Sequence, residues 1–155
     1  MQNDKIFSEI LDSLVRTKEE ANLFLSEVEA LERSLYKIGE GDFNSTLQKD
    51  VRAKTAGVIV QLTGSGDRGL ILKTLKAKIN TLTYLNLTIA FEPTEDAIGR
   101  IHNWVKQNLG EGICLNLTID KKILGGAVVE YKGKVASFTL LTKVDQYFLN
   151  NNVNV

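Results

Sequence analysis

A heptad stripe in the first forty residues constrains this chain more than any other feature. With Phe7 at position a, the a and d positions hold Phe7, Ile10, Leu14, Thr17, Ala21, Phe24, Val28, Leu31, Leu35 and Ile38, nine of the ten apolar. Leu11 and Leu25 fall at e and widen the stripe beyond a two-stranded seam, which suits packing against more than one helix. The pattern predicts one long helix over residues 4–38, about 50 Å at 1.5 Å per residue. Gly39-Glu40-Gly41 ends it, because glycine accepts the left-handed cap conformation. Such a helix outreaches a small core and needs a partner along its length. That partner is either residues 45–80 of the same chain or helices of another protein.

A second helix is predicted over about 45–62, where Leu47, Val51, Thr55, Val58 and Leu62 keep helical spacing, although Val58-Ile59-Val60 also suits a strand. Gly64-Ser65-Gly66-Asp67-Arg68-Gly69 then punctuates the chain. It lacks the Gly-Lys-Ser/Thr ending of a phosphate-binding loop, so a hinge between helices is the expectation. A third helix over about 69–80 carries Leu72, Leu75 and Ile79 on one face. Charge is zero overall but uneven locally: residues 1–40 hold nine acids and five bases, residues 41–80 three and seven. Ordinary surface variation explains this, as does packing of the two segments against each other.

From Thr81 the period changes to two. Leu85, Leu87, Ile89 and Phe91 alternate with Asn86, Thr88 and Ala90, as in a half-buried strand. Pro93-Thr94-Glu95-Asp96 opens a helix with Thr94 as cap, Ile98, Ile101, Val105 and Leu109 as its buried stripe, and Gly110 at its stop. Ile113–Ile119 is a second strand, and Leu-Asn-Leu-Thr-Ile stands identically at 85–89 and 115–119. The unit is βαβ with parallel strands. A hairpin follows, Gly126–Tyr131 and Lys134–Phe138 around Lys132-Gly133, then a closing helix marked by Leu140, Leu141, Val144, Tyr147 and Phe148. The expected fold is α+β: a helical region over 1–80 (hairpin or bundle), a small mixed-sheet α/β domain over 81–149, and a frayed tail over 150–155.

Composition narrows the function classes. At 155 residues and 43% apolar the chain can bury a core. No run approaches the ~20 apolar residues of a membrane span. Residues 1–9 do not resemble a secretion signal, and zero net charge argues against a dedicated nucleic-acid binder. A lone Cys114 excludes an internal disulfide, and zinc-type ligand clusters are absent from the sequence. His102 is the only histidine, and no motif places a nucleophile beside it, so a packing role is expected. Cys114 reads as a structural thiol, Glu95 and Asp96 as helix-start acids, and Trp104 as a partly buried packing residue or, if exposed, an interface anchor. No catalytic, cofactor or metal site is expected.

The most unusual spelling is Asp120-Lys121-Lys122-Ile123-Leu124-Gly125-Gly126 before a β-run. Paired glycines imply either close backbone approach or a conformation closed to other residues, and Asp120 is placed to accept N–H groups of the following turn. With Asp120, Leu124, Gly125, Gly126, Val128, Gly133 and Val135, residues 70–149 resemble the C-terminal domain of the delta subunit of F-type ATP synthases, the oligomycin-sensitivity-conferring protein of mitochondria. Two features depart from that family: Ser137-Phe138-Thr139 stands where Asp-Gly-Ser is usual, and only some eighty residues precede the matching region, where the family has a six-helix domain. The resemblance implies a non-catalytic peripheral-stalk subunit without a cofactor. Its partners would be the stalk and head subunits, and it would lie at the cytoplasmic face of a membrane that it meets only through the complex. Candidate partner-binding residues are Leu14, Phe24 and Leu31 on the stripe, and Leu124, Gly125 and Gly126 in the turn. The alternative is a coiled-coil adaptor that self-associates through residues 4–38; a small enzyme built around His102 or the Gly64–Gly69 loop ranks third.

Overall fold

The computed structural model describes Phe7 and residues 10–36, 40–64, 66–123 and 125–138. The chain is α+β, helices first and a four-stranded mixed sheet after them. The long helix expected over 4–38 is a correction: residues 10–14 are helical, residues 15–17 leave the helix, and α1 runs Lys18–Leu35. The break falls at Thr17, the one polar residue of the ten a and d positions. Its hydroxyl accepts from the Glu20 N–H at 3.2 Å, while the Glu20 carboxylate accepts from the Thr17 N–H at 3.3 Å. This reciprocal capping box satisfies N–H groups that a continuous helix would have bonded internally. The sheet supplies the rest of the cause. Arg16 C=O accepts from Leu115 N–H at 2.9 Å, so the freed backbone is paired again rather than left bare.

The helix expected over 45–62 is also split, into α2 (Glu40–Lys49) and α3 (Ala53–Thr63). Glu27, buried on α1, explains the division. Its carboxylate accepts from Arg52 N–H at 2.9 Å, from Arg52 Nε and Nη2 at 2.8 and 3.0 Å, and from the Thr55 hydroxyl at 2.9 Å. A continuous helix would have used Arg52 N–H itself. The third helix stands as α4 (Arg68–Asn80), capped by Asp67, whose carboxylate accepts from Gly69 and Leu70 N–H. Those are the donors a phosphate would have used, so the glycine-rich loop is a helix start.

α1 packs on α2 and α4, and α3 joins α2 to α4, closing a bundle. Its core is Phe24, Leu31, Ile59, Leu72 and Leu75, all wholly buried, each contributing about 1.5–3 kcal/mol of apolar burial. Lys76 Nζ lies 3.1 Å from Glu29 and 3.3 Å from Glu32, so the acidic first segment does pack on the basic second.

β1 (Thr83–Ile89), α5 (Glu95–Leu109), β2 (Ile113–Ile119), a 3₁₀ turn (Lys121–Ile123), β3 (Ala127–Tyr131) and β4 (Lys134–Ser137) follow. The strand order is β2-β1-β3-β4, with β1 and β2 parallel and the other pairs antiparallel. The identical pentapeptides lie side by side in register, Leu85 opposite Leu115 through Ile89 opposite Ile119. α5 covers one face, placing Ile98, Ile101 and Val105 against Leu85, Leu87 and Leu115. On the other face Asn116 Nδ2 donates to Asn86 Oδ1 at 2.8 Å. At the hairpin, Lys132 (φ 50°) and Gly133 (φ 75°) are both left-handed, as the mirror-image turn that matches strand twist requires. The expected closing helix from Leu140 and the tail lie outside the described residues.

Candidate partner-binding surfaces

The stripe residues nominated for partner binding face inward. Leu14, Phe24 and Leu31 are 5%, 0% and 0% exposed, inside one core with Leu72, Leu75 and Ile59. Of the two partners that the stripe allowed, the chain's own helices take it. The nomination is corrected accordingly: a side chain already packed on all sides has no area left to bury against another protein.

The turn nominated after β2 lies at one end of the sheet. Asp120 N–H donates to Ile89 C=O at 2.9 Å, and the Asp120 carboxylate accepts from Lys122 N–H at 2.9 Å, which tightens the turn as expected. Gly125 and Gly126 stand at φ 105° and 93°. A Cβ on Gly125 would meet nothing within 4 Å, so backbone conformation and not close approach demands that glycine. Leu124 lies outside the described residues. Around this end of the sheet stand three largely exposed apolar side chains: Phe91 past β1, Ile119 closing β2, and Phe138 past β4. Trp104 on α5 is 57% exposed, so it is not the mainly buried packing residue expected first.

A second surface was not foreseen. A groove of about 550 Å³ runs beside the outer edge of β2, lined by Lys18, Leu23, Glu95, Ile98, Asn116 and Leu117 among others. Two of its lining carboxylates share one partner: Arg16 Nη2 lies 2.7 Å from Glu20 and 2.6 Å from Glu95. Glu95 thus links α5 to residue 16 besides sitting in the first turn of its own helix. The capping signature Thr17-x-x-Glu20 was visible in the sequence and could have located the helix start that forms one wall; the ion pair joins residues 79 apart and leaves no local signal.

The chemistry-bearing residues are occupied structurally. Burial lowers the pKa of His102 on the inner face of α5, with Asp12, Arg16, Lys106 and Glu20 as its charged neighbours. Burial, followed by Asp12 and Glu20, pushes the Cys114 thiol up to about 12, and its Sγ lies 3.7 Å from Val15 C=O. That thiol is inert at neutral pH. No group of three or more potential metal ligands exists among the described residues.

The described residues thus form a helical bundle joined to a βαβ unit and hairpin, with an apolar rim beside paired left-handed glycines. The family model for the ATP synthase delta (OSCP) subunit matches residues 70–148, from the first turn of α4 through the whole sheet. The chain belongs to that family. No curated protein matches it.

Proposed function

We propose that this chain is the peripheral-stalk subunit of an F-type rotary ATP synthase, tying the membrane-anchored stalk to the catalytic head against rotor torque. Family membership over residues 70–148 carries the proposal. Its work is burial of surface between subunits, without bond making or a cofactor. The rim of Phe91, Ile119 and Phe138 beside the Gly125-Gly126 turn is the face offered to the stalk, since aromatic side chains anchor interfaces well. Attachment is peripheral, at the cytoplasmic face and through partners. No helix among the described residues is long and apolar enough to cross a membrane. The adaptor alternative needed an outward seam over residues 4–38, and burial of Phe24, Val28 and Leu31 inside the bundle leaves it without one.

The test is a tagged pulldown from mildly solubilised native membranes, with partners identified by mass spectrometry. Head and stalk subunits are expected, and the double variant Phe91→Ala, Phe138→Ala should fold yet lose the stalk. Recovery of the chain with itself alone, from soluble extract, overturns the proposal.

A further inference from the structure

Residues 10–17 are gripped from two sides. β2 holds their backbone: Leu115 N–H donates to Arg16 C=O at 2.9 Å, and Cys114 Sγ lies 3.7 Å from Val15 C=O. α5 holds their charges. Glu95, Gly99, His102 and Lys106 follow one another at three- and four-residue steps and so share a face of that helix, beside the Ile98, Ile101 and Val105 face that packs on the sheet. Lys106 Nζ lies 2.6 Å from Asp12 Oδ2, and Glu95 Oε2 lies 2.6 Å from Arg16 Nη2. The same guanidinium passes Gly99, 3.9 Å from where a Cβ would stand. His102 lies between the two ion pairs along this face and is 5% exposed. The charges about it are already matched, Asp12 with Lys106 and Arg16 with Glu20 and Glu95. A neutral imidazole leaves that balance alone. An imidazolium adds a third cation beside Arg16 and Lys106, in a joint where the Asp12 side chain is 12% exposed and water screens little.

We propose that His102 is an acid-sensitive latch: neutral, it lets residues 10–17 dock on α5 and β2; protonated, it releases them, so mild acid loosens the joint between bundle and sheet. Burial acts on it most strongly and lowers its pKa; Arg16 and Lys106 push the same way, while Asp12 and, from α1, Glu20 oppose them. The neighbouring β2 carries Cys114, a thiol that stays protonated throughout this range. The docked form therefore binds the proton less readily than the released form, whose histidine titrates near the ordinary 6.5. Docking is complete above that value and weakens as pH falls from it toward the depressed one.

Amide hydrogen exchange in the full-length protein at pH 7.5 and 5.5, corrected for the intrinsic pH dependence of exchange, tests this above the range in which carboxylates ordinarily titrate. Protection of Leu115 N–H, which loses its acceptor when Arg16 departs, should fall by about threefold or more, while Leu87 on the central strand keeps its protection. One proton permits no more than about tenfold per pH unit. His102→Gln has no proton to gain and should hold Leu115 protection constant over the same interval; His102→Asn replaces it if the glutamine variant does not fold. Independently, the wild-type His102 ring followed by NMR must titrate below 6.5. Unchanged Leu115 protection in the wild type, a fall that persists in the neutral variant, a parallel fall at Leu87, or a ring that titrates at or above the ordinary value overturns the proposal.

Discussion

In the helical half, residues 10–80, Phe24, Leu31, Ile59, Leu72 and Leu75 are sealed on every side, and the polar groups among them are bonded. In the sheet half, residues 83–138, the core is covered by a single helix, while Phe91, Trp104, Ile119 and Phe138 stand largely in solvent. The first half seals its core among four packed helices, with Leu23, Tyr36, Val60 and Leu70 exposed on its outer faces; the second covers its core with one helix and gathers exposed apolar side chains at one end of the sheet. On the proposed function, stability rests on the first half and partner binding on the second, and substitutions in each should report on different properties.

The largest expected effect tests the sealed half. Phe24→Ala removes a fully buried ring from the centre of α1 and should cost about 3–5 kcal/mol, read as a lower urea midpoint. Retention of wild-type stability would mean that the bundle does not depend on this core, and the contrast between the halves would fail.

A smaller effect concerns the charge inside that half. Burial raises the pKa of Glu27, but the Arg52 guanidinium, Arg52 N–H and Thr55 hydroxyl together outweigh it and hold the carboxyl below its ordinary 4.5. The folded protein therefore binds this proton less readily than the unfolded chain does. The resulting stability is complete above the ordinary value and is lost as pH falls through the depressed one. Glu27→Gln should cost about 2 kcal/mol at neutral pH, moderated because Arg52 is partly exposed and can turn to water. It should also flatten the acid limb of the stability–pH curve. An unchanged acid limb would place the acid sensitivity elsewhere.

The two halves also differed in how much their sequences disclosed. Local rules governed the sheet half: alternation placed β1 and β2, Lys132-Gly133 placed the hairpin, and Asp120 and the paired glycines placed the turn between. In the helical half the stripe named the buried face correctly, yet concealed where the helices stop. Heptad spacing measures which side of a helix is apolar and carries no information on continuity. One break had a local sign in Thr17-x-x-Glu20. The other depended on Glu27, twenty-five residues from Arg52, and no local pattern foretells such a contact. The same limit hid the inward fate of Leu14, Phe24 and Leu31, because an apolar stripe looks alike whether its partner is the same chain or another.

Thr17 belongs to both halves, and its replacement gives the smallest and most discriminating effect. Its hydroxyl caps α1, while its backbone forms the bridge to Leu115 on β2. Thr17→Ala keeps the backbone and removes the cap, leaving Glu20 N–H without its acceptor, at a cost of about 1 kcal/mol. If the bridge couples the halves through backbone alone, urea unfolding should remain a single transition with an unchanged slope and a lower midpoint. A split transition, with the sheet half outlasting the helices, would instead mean that the cap holds residues 15–17 on the sheet. The halves would then be separable units joined by one hydroxyl.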